Sequence, residues 1–531
     1  MKPRAMTPED AAKLIYDGAT IAAATVAFTG HAESVLKHIE KRFLETGHPR
    51  DLTFTHAAGS QGPNKNGSIH MCHEGMTKRY IAAHWGVSKE WCDLVESNKV
   101  EAFSFSQGTI THMFRSNGSG QPGHITKTGL GTFIDPRQDG GKMNRRTKEN
   151  APDLVQLLEI DGEEYLFYKA FPIHFALIRA TYADEDGNLT MDEEPVKLET
   201  LPVVLAAKRY GGTVIVQVKK IVKNGSLDPR NVVIPGNFVD CVVECEDPIN
   251  EHRMTAGSYY DPAFLGRIRY TDDRLPGIPV EMNMRKIIGR RAAMEAKKGD
   301  IGNVGVGIPY DTVSRLMYEE GIRKDVTFTL EMGVFGGVLT DVHNFGAAYN
   351  FEAMIDQPAI FDFYNGAGLD ITFMGAGEID AAGNVNASKM NGKVTGCGGF
   401  VDITQHSKKV VFCLTFTARG LREAWSEQEG IQILQEGQNK KFVRQLLQTT
   451  FSAEYARKAG QQVVYVTDRA VFVLTEKGIM LTEIARGVDL QRDILDQMEF
   501  IPEISKNLRE IPTVIYREGL MGLKEILGCE E

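Results

Sequence analysis

Two stretches far apart in this chain follow one pattern. Lys13 to Phe28 carries a helix end, Gly18 and an apolar strand; Met284 to Val306 carries a helix (MRKIIGRRAAMEAKK), Gly299 and a strand from Ile301. The halves also share a turn, ADEDGNL at 183–189 and IDAAGNV at 379–385. A repeated helix–glycine–strand unit constrains the fold strongly, because each strand and helix must bury one face against another layer. The expectation is an α/β protein made of two related open domains with mainly parallel sheets, fused in one chain. At 531 residues the chain is too long for one core. Between Cys245 and Met282 the pattern breaks into EDPINEHRMTAGSYYDPAF and TDDRLPGIP, so the boundary is expected near residue 270, giving domains 1–270 and 271–531.

Local signals fill in this frame. Thr7, Pro8 and Asp10 read as a capped helix start rather than a secretory signal. Thr20 to Phe28 reads as a buried strand, Ala32 to Glu45 as a helix stopped by Gly47, and Leu52 to Ala58 as the next strand. Gly59 to Gly75 is a polar loop long enough to touch a ligand. Phe103 to Gly108 (FSFSQG) reads as a strand entering a turn, and Gly129 to Gly141 (GLGTFIDPRQDGG) as a strand opened and closed by glycines. Val203 to Val222 holds a helix-like run and then the strand from Thr213. Near the end, Val463–Val466, Ala470–Leu474 and Ile479–Ile484 read as strands, and Val488 to Met498 as a helix.

Composition removes several function classes. The net charge is −10 and no long basic run occurs, so neither nucleic acid nor an anionic membrane is expected as a partner. No apolar run reaches the roughly 18 residues of a membrane span. Seven scattered cysteines suit a reducing cytoplasm. His70, Cys72 and His73 lack a second ligand pair at finger spacing, so no metal site is expected. Nothing fits a dinucleotide fingerprint, a Walker A loop or a G-x-S-x-G elbow.

Asp325 to Gly337 (DVTFTLEMGVFGG) carries the most chemistry. Val326, Phe328 and Leu330 alternate with threonines, Glu331 stands at the strand's end, and Gly333, Gly336 and Gly337 follow. Open α/β sheets place ligands off such carboxyl ends. On spacing alone a salt-bridged or capping glutamate is the favoured reading of the residue, and tight turns explain the glycines equally well.

Several segments together resemble the class I coenzyme A-transferases, in the propionate/acetate CoA-transferase branch whose halves are fused. They are SFSQG, GLGTFIDPRQDGGK, NVGVGIP, TFTLEMGVFGG, FDFYNGAGLD, TGCGGFVDITQ and DRAVFVLTEKGIMLTEIARGVDLQRDIL. The resemblance implies that Glu331, in its Glu-x-Gly motif, is the nucleophile. It implies that Gly305, Val306 and Gly307 line the coenzyme site, that Gly398 and Gly399 approach the reacting carbonyl, and that Gln107 lies near the substrate carboxylate. Met332 departs from the family, which carries a small residue there, and with Phe335 nearby this bears on the acyl pocket. The implied reaction moves CoA from an acyl-CoA to a free carboxylic acid through a glutamyl-CoA thioester, with coenzyme A as substrate and no cofactor. Acetate, propionate, lactate and acrylate fit, a bulkier acid such as an arylpropenoate stays open, and a cytoplasmic homo-oligomer (dimer or tetramer) is expected. An acyl-CoA hydrolase or a non-catalytic binding protein on the same scaffold are the alternatives. Cys397, inside GCGGF, is a rival nucleophile.

Overall fold

A computed structural model describes residues 3–60, 65–271, 274–276, 279–390 and 392–529. Parts of two segments read above, 61–64 in the polar loop and 272–273 and 277–278 near the expected boundary, lie outside the described residues.

The chain builds two ten-stranded sheets. In the first, β1 (Arg4–Met6), β2 (Thr20–Ala23), β3 (Leu52–His56), β4 (Thr77–Ala82), β5 (Glu101–Phe103), β6 (Phe175–Asp184), β7 (Thr213–Val222) and β8 (Cys241–Glu244) lie in the order β1-β8-β7-β6-β2-β3-β4-β5. Every ladder along that path is parallel. The second sheet is centred on β9 (Ile301–Val304), β10 (Thr327–Leu330), β11 (Ile371–Gly375), β12 (Lys409–Cys413) and β13 (Gln462–Val466), also mutually parallel and ordered β10-β9-β11-β12-β13. The run β3-β2-β6-β7-β8 in the first sheet has the same order and direction. Antiparallel strands extend the second sheet at both ends.

The repeated sequence units occupy matching places. Gly18 and Gly299 precede β2 and β9 with φ of 74° and 91°, a left-handed conformation that glycine adopts without strain. The shared turn is built from the same bonds in both halves. Asp184 Oδ1 accepts from the Asn188 N–H (2.9 Å) and Asp184 Oδ2 from Asn188 Nδ2 (2.8 Å). Asp380 and Asn384 repeat both bonds at 2.9 Å. Two copies of one structural unit explain why the sequence repeats its punctuation.

Several elements come out as the sequence predicts. Thr7 caps the Pro8–Lys13 helix, its side chain accepting from the Asp10 N–H, and Gly47 ends the Glu33–Thr46 helix in a left-handed conformation. Three readings need correction. Residues 129–141 form turns rather than a strand. Gly129, Gly131, Gly140 and Gly141 all have positive φ, and the Asp135 carboxylate accepts from the Gly131 and Arg137 N–H groups, which curls the segment on itself. The segment after Phe103 enters a helix, Gln107–Gly118, not a free turn. Over Val488 to Met498 the chain makes a π-turn, Leu490–Ile494, and a 3₁₀ turn, Leu495–Gln497, instead of an α-helix.

Candidate active site

Glu331 is the first residue past β10, a strand buried along almost its whole length, with Phe328 at 4% and Leu330 at 0% exposure. The strand cannot continue straight. Gly333 has φ 102°, its N–H donates to the Leu330 carbonyl at 2.9 Å, and a side chain there would run into the Ile355 carbonyl. This turn holds Glu331 at the sheet's carboxyl edge, half-buried. Burial pushes its carboxyl above the ordinary carboxylate range, and the Asn303 side chain partly opposes the shift.

Asn303 belongs to the adjacent strand β9, opposite Thr329 of β10. Its Nδ2 donates to the Thr329 carbonyl at 3.0 Å and to the Tyr364 hydroxyl at 3.3 Å, and that hydroxyl lies 2.7 Å from Thr329 Oγ1. Asn303 Oδ1 and the Tyr310 hydroxyl are buried with no protein partner. Two residues beyond the Asn303–Thr329 pair stand Gly305 and Glu331, so the expected coenzyme segment and the glutamate leave the sheet side by side. The Gly305 N–H is tied to the Phe373 carbonyl at 2.8 Å, and Gly307, at φ 114°, caps the helix Ile308–Glu319. Val306 between them is 65% exposed, so the core does not explain it.

Gln107 and the Gly398–Gly399 pair are brought together from opposite halves. The Gln107 N–H donates to the Gly398 carbonyl at 3.0 Å, and a Cβ placed on Gly399 would stand 3.6 Å from Gln107 Oε1. One helix, Gln357–Asn365, reaches both groups of residues. Its Gln357 accepts from Gln107 Nε2 at 3.4 Å, its Phe361 ring abuts Gly399 and Gly108, and its Tyr364 holds Asn303 and Thr329. Cys397 is 7% exposed, and burial pushes its thiol up to about 12, so it is protonated at neutral pH and a poor nucleophile.

The arrangement therefore offers a desolvated carboxylate, a glycine loop with open backbone conformations and a helix amino terminus. The coenzyme A transferase family model matches residues 5–245. The caffeate CoA-transferase of Acetobacterium woodii is 43% identical over 528 residues, covering 98% of this chain and 99% of that protein. The chain belongs to the coenzyme A-transferase family. The acetate CoA-transferase YdiF of Escherichia coli O157:H7 is 40% identical over 491 residues, 92% of this chain and 91% of that one. A crystal structure of the same bacterium's acyl-CoA transferase (YdiF), described as a thioester complex with CoA, superposes with a TM-score of 0.90 at 38% identity, covering 98% of this chain and 97% of that one. With named transferases this similar over nearly its whole length, this chain is a CoA-transferase rather than a non-catalytic binding protein.

One expectation about this CoA-transferase changes with the structure. Met332 does not stand open beside Glu331: it is 0% exposed, and its methyl group lies 3.2 Å from where a Cβ on Gly346 would be. Any influence on the acyl pocket passes through packing. His70 and His73 are engaged by carboxylates, His70 with Glu33 at 2.8 Å and Glu40 at 2.5 Å, and His73 with Glu40 at 2.6 Å. Among the described residues no three His, Cys, Asp or Glu side chains are grouped to hold a metal. Sequence reasoning missed Asn303, Gln357 and Tyr364. An asparagine inside the apolar strand IGNV was the one local signal; the others are recognisable only by what they touch.

Proposed function

We propose that this enzyme transfers coenzyme A between an acyl-CoA and a free carboxylic acid through a thioester on Glu331. The Glu331 carboxylate attacks the acyl-CoA carbonyl, forming a mixed anhydride and releasing CoA thiolate. The thiolate then attacks the glutamyl carbonyl, giving the glutamyl-CoA thioester and the free donor acid. An incoming carboxylate reverses both steps, so no water, net proton, metal or organic cofactor is consumed. Each step passes through a tetrahedral oxyanion, which the Gly399 backbone N–H is suited to meet with Gln107 beside it, whereas the Gly398 N–H is held by the Ala83 carbonyl at 2.9 Å. Such a donor is typically worth about 3 kcal/mol. Gly305, Val306 and Gly307 take the coenzyme at the start of the Ile308–Glu319 helix, whose positive dipole end favours anions. The acid is short-chain, such as acetate or propionate, or an arylpropenoate of the caffeate kind, the classes named for the two relatives. The enzyme works as a cytoplasmic homo-oligomer, with domains 1–270 and 271–531.

The observation that carries this reading is the placement of Glu331, where burial destabilises its charged form and the Gly333 turn fixes it next to Gly305. Enzyme treated with acyl-CoA and then borohydride should lose activity, with the reduced carboxyl found by peptide mass at Glu331. Glu331→Gln should stay folded and lose about 1,000-fold or more in kcat, while Cys397→Ser keeps most activity. An active Glu331→Gln, or a label on Cys397, would overturn the mechanism.

A further inference from the structure

The two surfaces that carry Gln107 and the Gly398–Gly399 pair belong to different halves, and one carboxylate ties them. Asp402 lies in the first turn of the Phe400–His406 helix and is 0% exposed. Its Oδ2 accepts from the Gly108 N–H at 2.8 Å and from the Ser106 hydroxyl. Ser106 Oγ in turn accepts from the Asp402 N–H at 3.0 Å and stands 3.4 Å from the Gly398 carbonyl. These bonds flank Gln107 on both sides, and the Gln107 N–H to Gly398 bond closes the set. Asp402 Oδ1 is buried with no hydrogen-bond partner. A buried carboxylate left half satisfied is costly, and a hydrophobic residue of similar size would remove that cost.

We propose that Asp402 is a positioning residue for CoA transfer: it clamps the start of the Gln107–Gly118 helix to the Gly398–Gly399 loop, so that the glutamine and the Gly399 N–H keep one fixed spacing. This rests on the glutamyl-thioester reading above. Gly108 is part of the device, because a Cβ there would press on Asp402 Oδ1 and the Phe361 ring. The groups facing the clamp are few. His112, further along the same helix, favours the charged form of Asp402, as do Ser106, the Gly108 N–H and Asn365. Cys397 and Tyr168 feel its charge. Burial outweighs the donors and lifts Asp402 to about 6. As pH falls through that value the carboxylate gains a proton, becomes a weaker acceptor for the Gly108 N–H, and the clamp loosens.

Asp402→Asn and Ser106→Ala test the clamp. Displacing reacting groups by about 1 Å costs up to about 100-fold in rate. Asp402→Asn should therefore lower kcat at least about tenfold, with KM for acyl-CoA changed less than about threefold. Ser106→Ala removes a donor that favours the carboxylate, so the acid limb of its kcat–pH profile should move to higher pH. That shift separates Asp402 from Glu331, since Ser106 does not touch the glutamate. Thioester build-up at Glu331, followed by mass after one turnover, should be slowed in both variants. If wild type builds the thioester and both variants match its rate, or if the acid limb of Ser106→Ala does not move, the clamp is wrong and the thioester reading stands. If wild type builds no thioester, the reading fails and the clamp falls with it.

Discussion

The backbone N–H of Gln107 donates to the carbonyl of Gly398 at 3.0 Å, joining a helix of the first half to a glycine loop of the second. Neither half alone holds the proposed site. The first supplies Gln107 and its helix, and the second supplies Glu331, the coenzyme segment and the glycine loop. A duplicated fold has thus been put to two uses: β10 ends in the glutamate, whereas its counterpart β3 ends in His56 and the small residues Ala57, Ala58 and Gly59. His56 is wholly buried, and burial holds it at about 3, so it stays neutral at neutral pH and supplies no charge.

Val306 offers the cleanest test of the coenzyme segment. It is an exposed aliphatic residue between two glycines, and losing it removes nothing from the core. If coenzyme A covers it, burial of a valine side chain contributes about 1.5–3 kcal/mol. Val306→Ser should raise KM for acyl-CoA by about tenfold at unchanged Tm, with KM for the acid unaffected. Steady-state kinetics with each substrate varied decides this, and an unchanged acyl-CoA KM would move the coenzyme elsewhere.

Met332 should behave as a core residue. Replacing a fully buried methionine by alanine leaves a cavity and typically costs about 2–5 kcal/mol. Met332→Ala is expected to lower stability in that range in urea unfolding. Across a panel of short and arylpropenoate acids, its kcat/KM values should fall together. A selective gain for the bulky acids would show that the side chain borders the acyl pocket after all.

Much of this was legible in the sequence, for physical reasons. Period-two alternation ending in Glu331 and glycine stops before β2 and β9 are local signals, and they read correctly because strand burial and left-handed turns are decided locally. The Asp–Asn turns at 184–188 and 380–384 are likewise self-contained hydrogen-bonded units. Residues 129–141 misled because their apolar centre, Leu130, Phe133 and Ile134, is buried by turns held through Asp135, a side-chain effect that alternation does not encode. Asp402 and Gln357 were not legible, since their partners Ser106, Gly108 and Gln107 lie some 250 to 300 positions away. Asn303 was half visible: a polar residue in an apolar strand signals a need, but not Tyr364 as the answer.

The last prediction concerns what Glu331 costs the fold. Burial raises its carboxyl above the ordinary value of 4.5, and the Asn303 side chain recovers only part of the loss. A carboxyl with a raised folded pKa binds more protons in the native state than in the unfolded one across the interval between the two values. Stability therefore falls as pH rises from the unfolded value through the folded value, and stays at the lower level above it. Glu331→Gln removes that penalty while keeping size and hydrogen-bonding reach. Its Tm should exceed that of wild type by a few degrees at pH 7 to 8, and the two should converge near pH 4. The same titration governs activity, because the protonated acid is no nucleophile, so kcat/KM of wild type should fall on the acid side above the range of an ordinary glutamate. Calorimetric melts of both proteins across this range, read beside the pH–rate profile, decide the matter. A Glu331→Gln protein less stable than wild type at pH 8 would mean that the carboxylate is held by compensating donors, and that its role is structural.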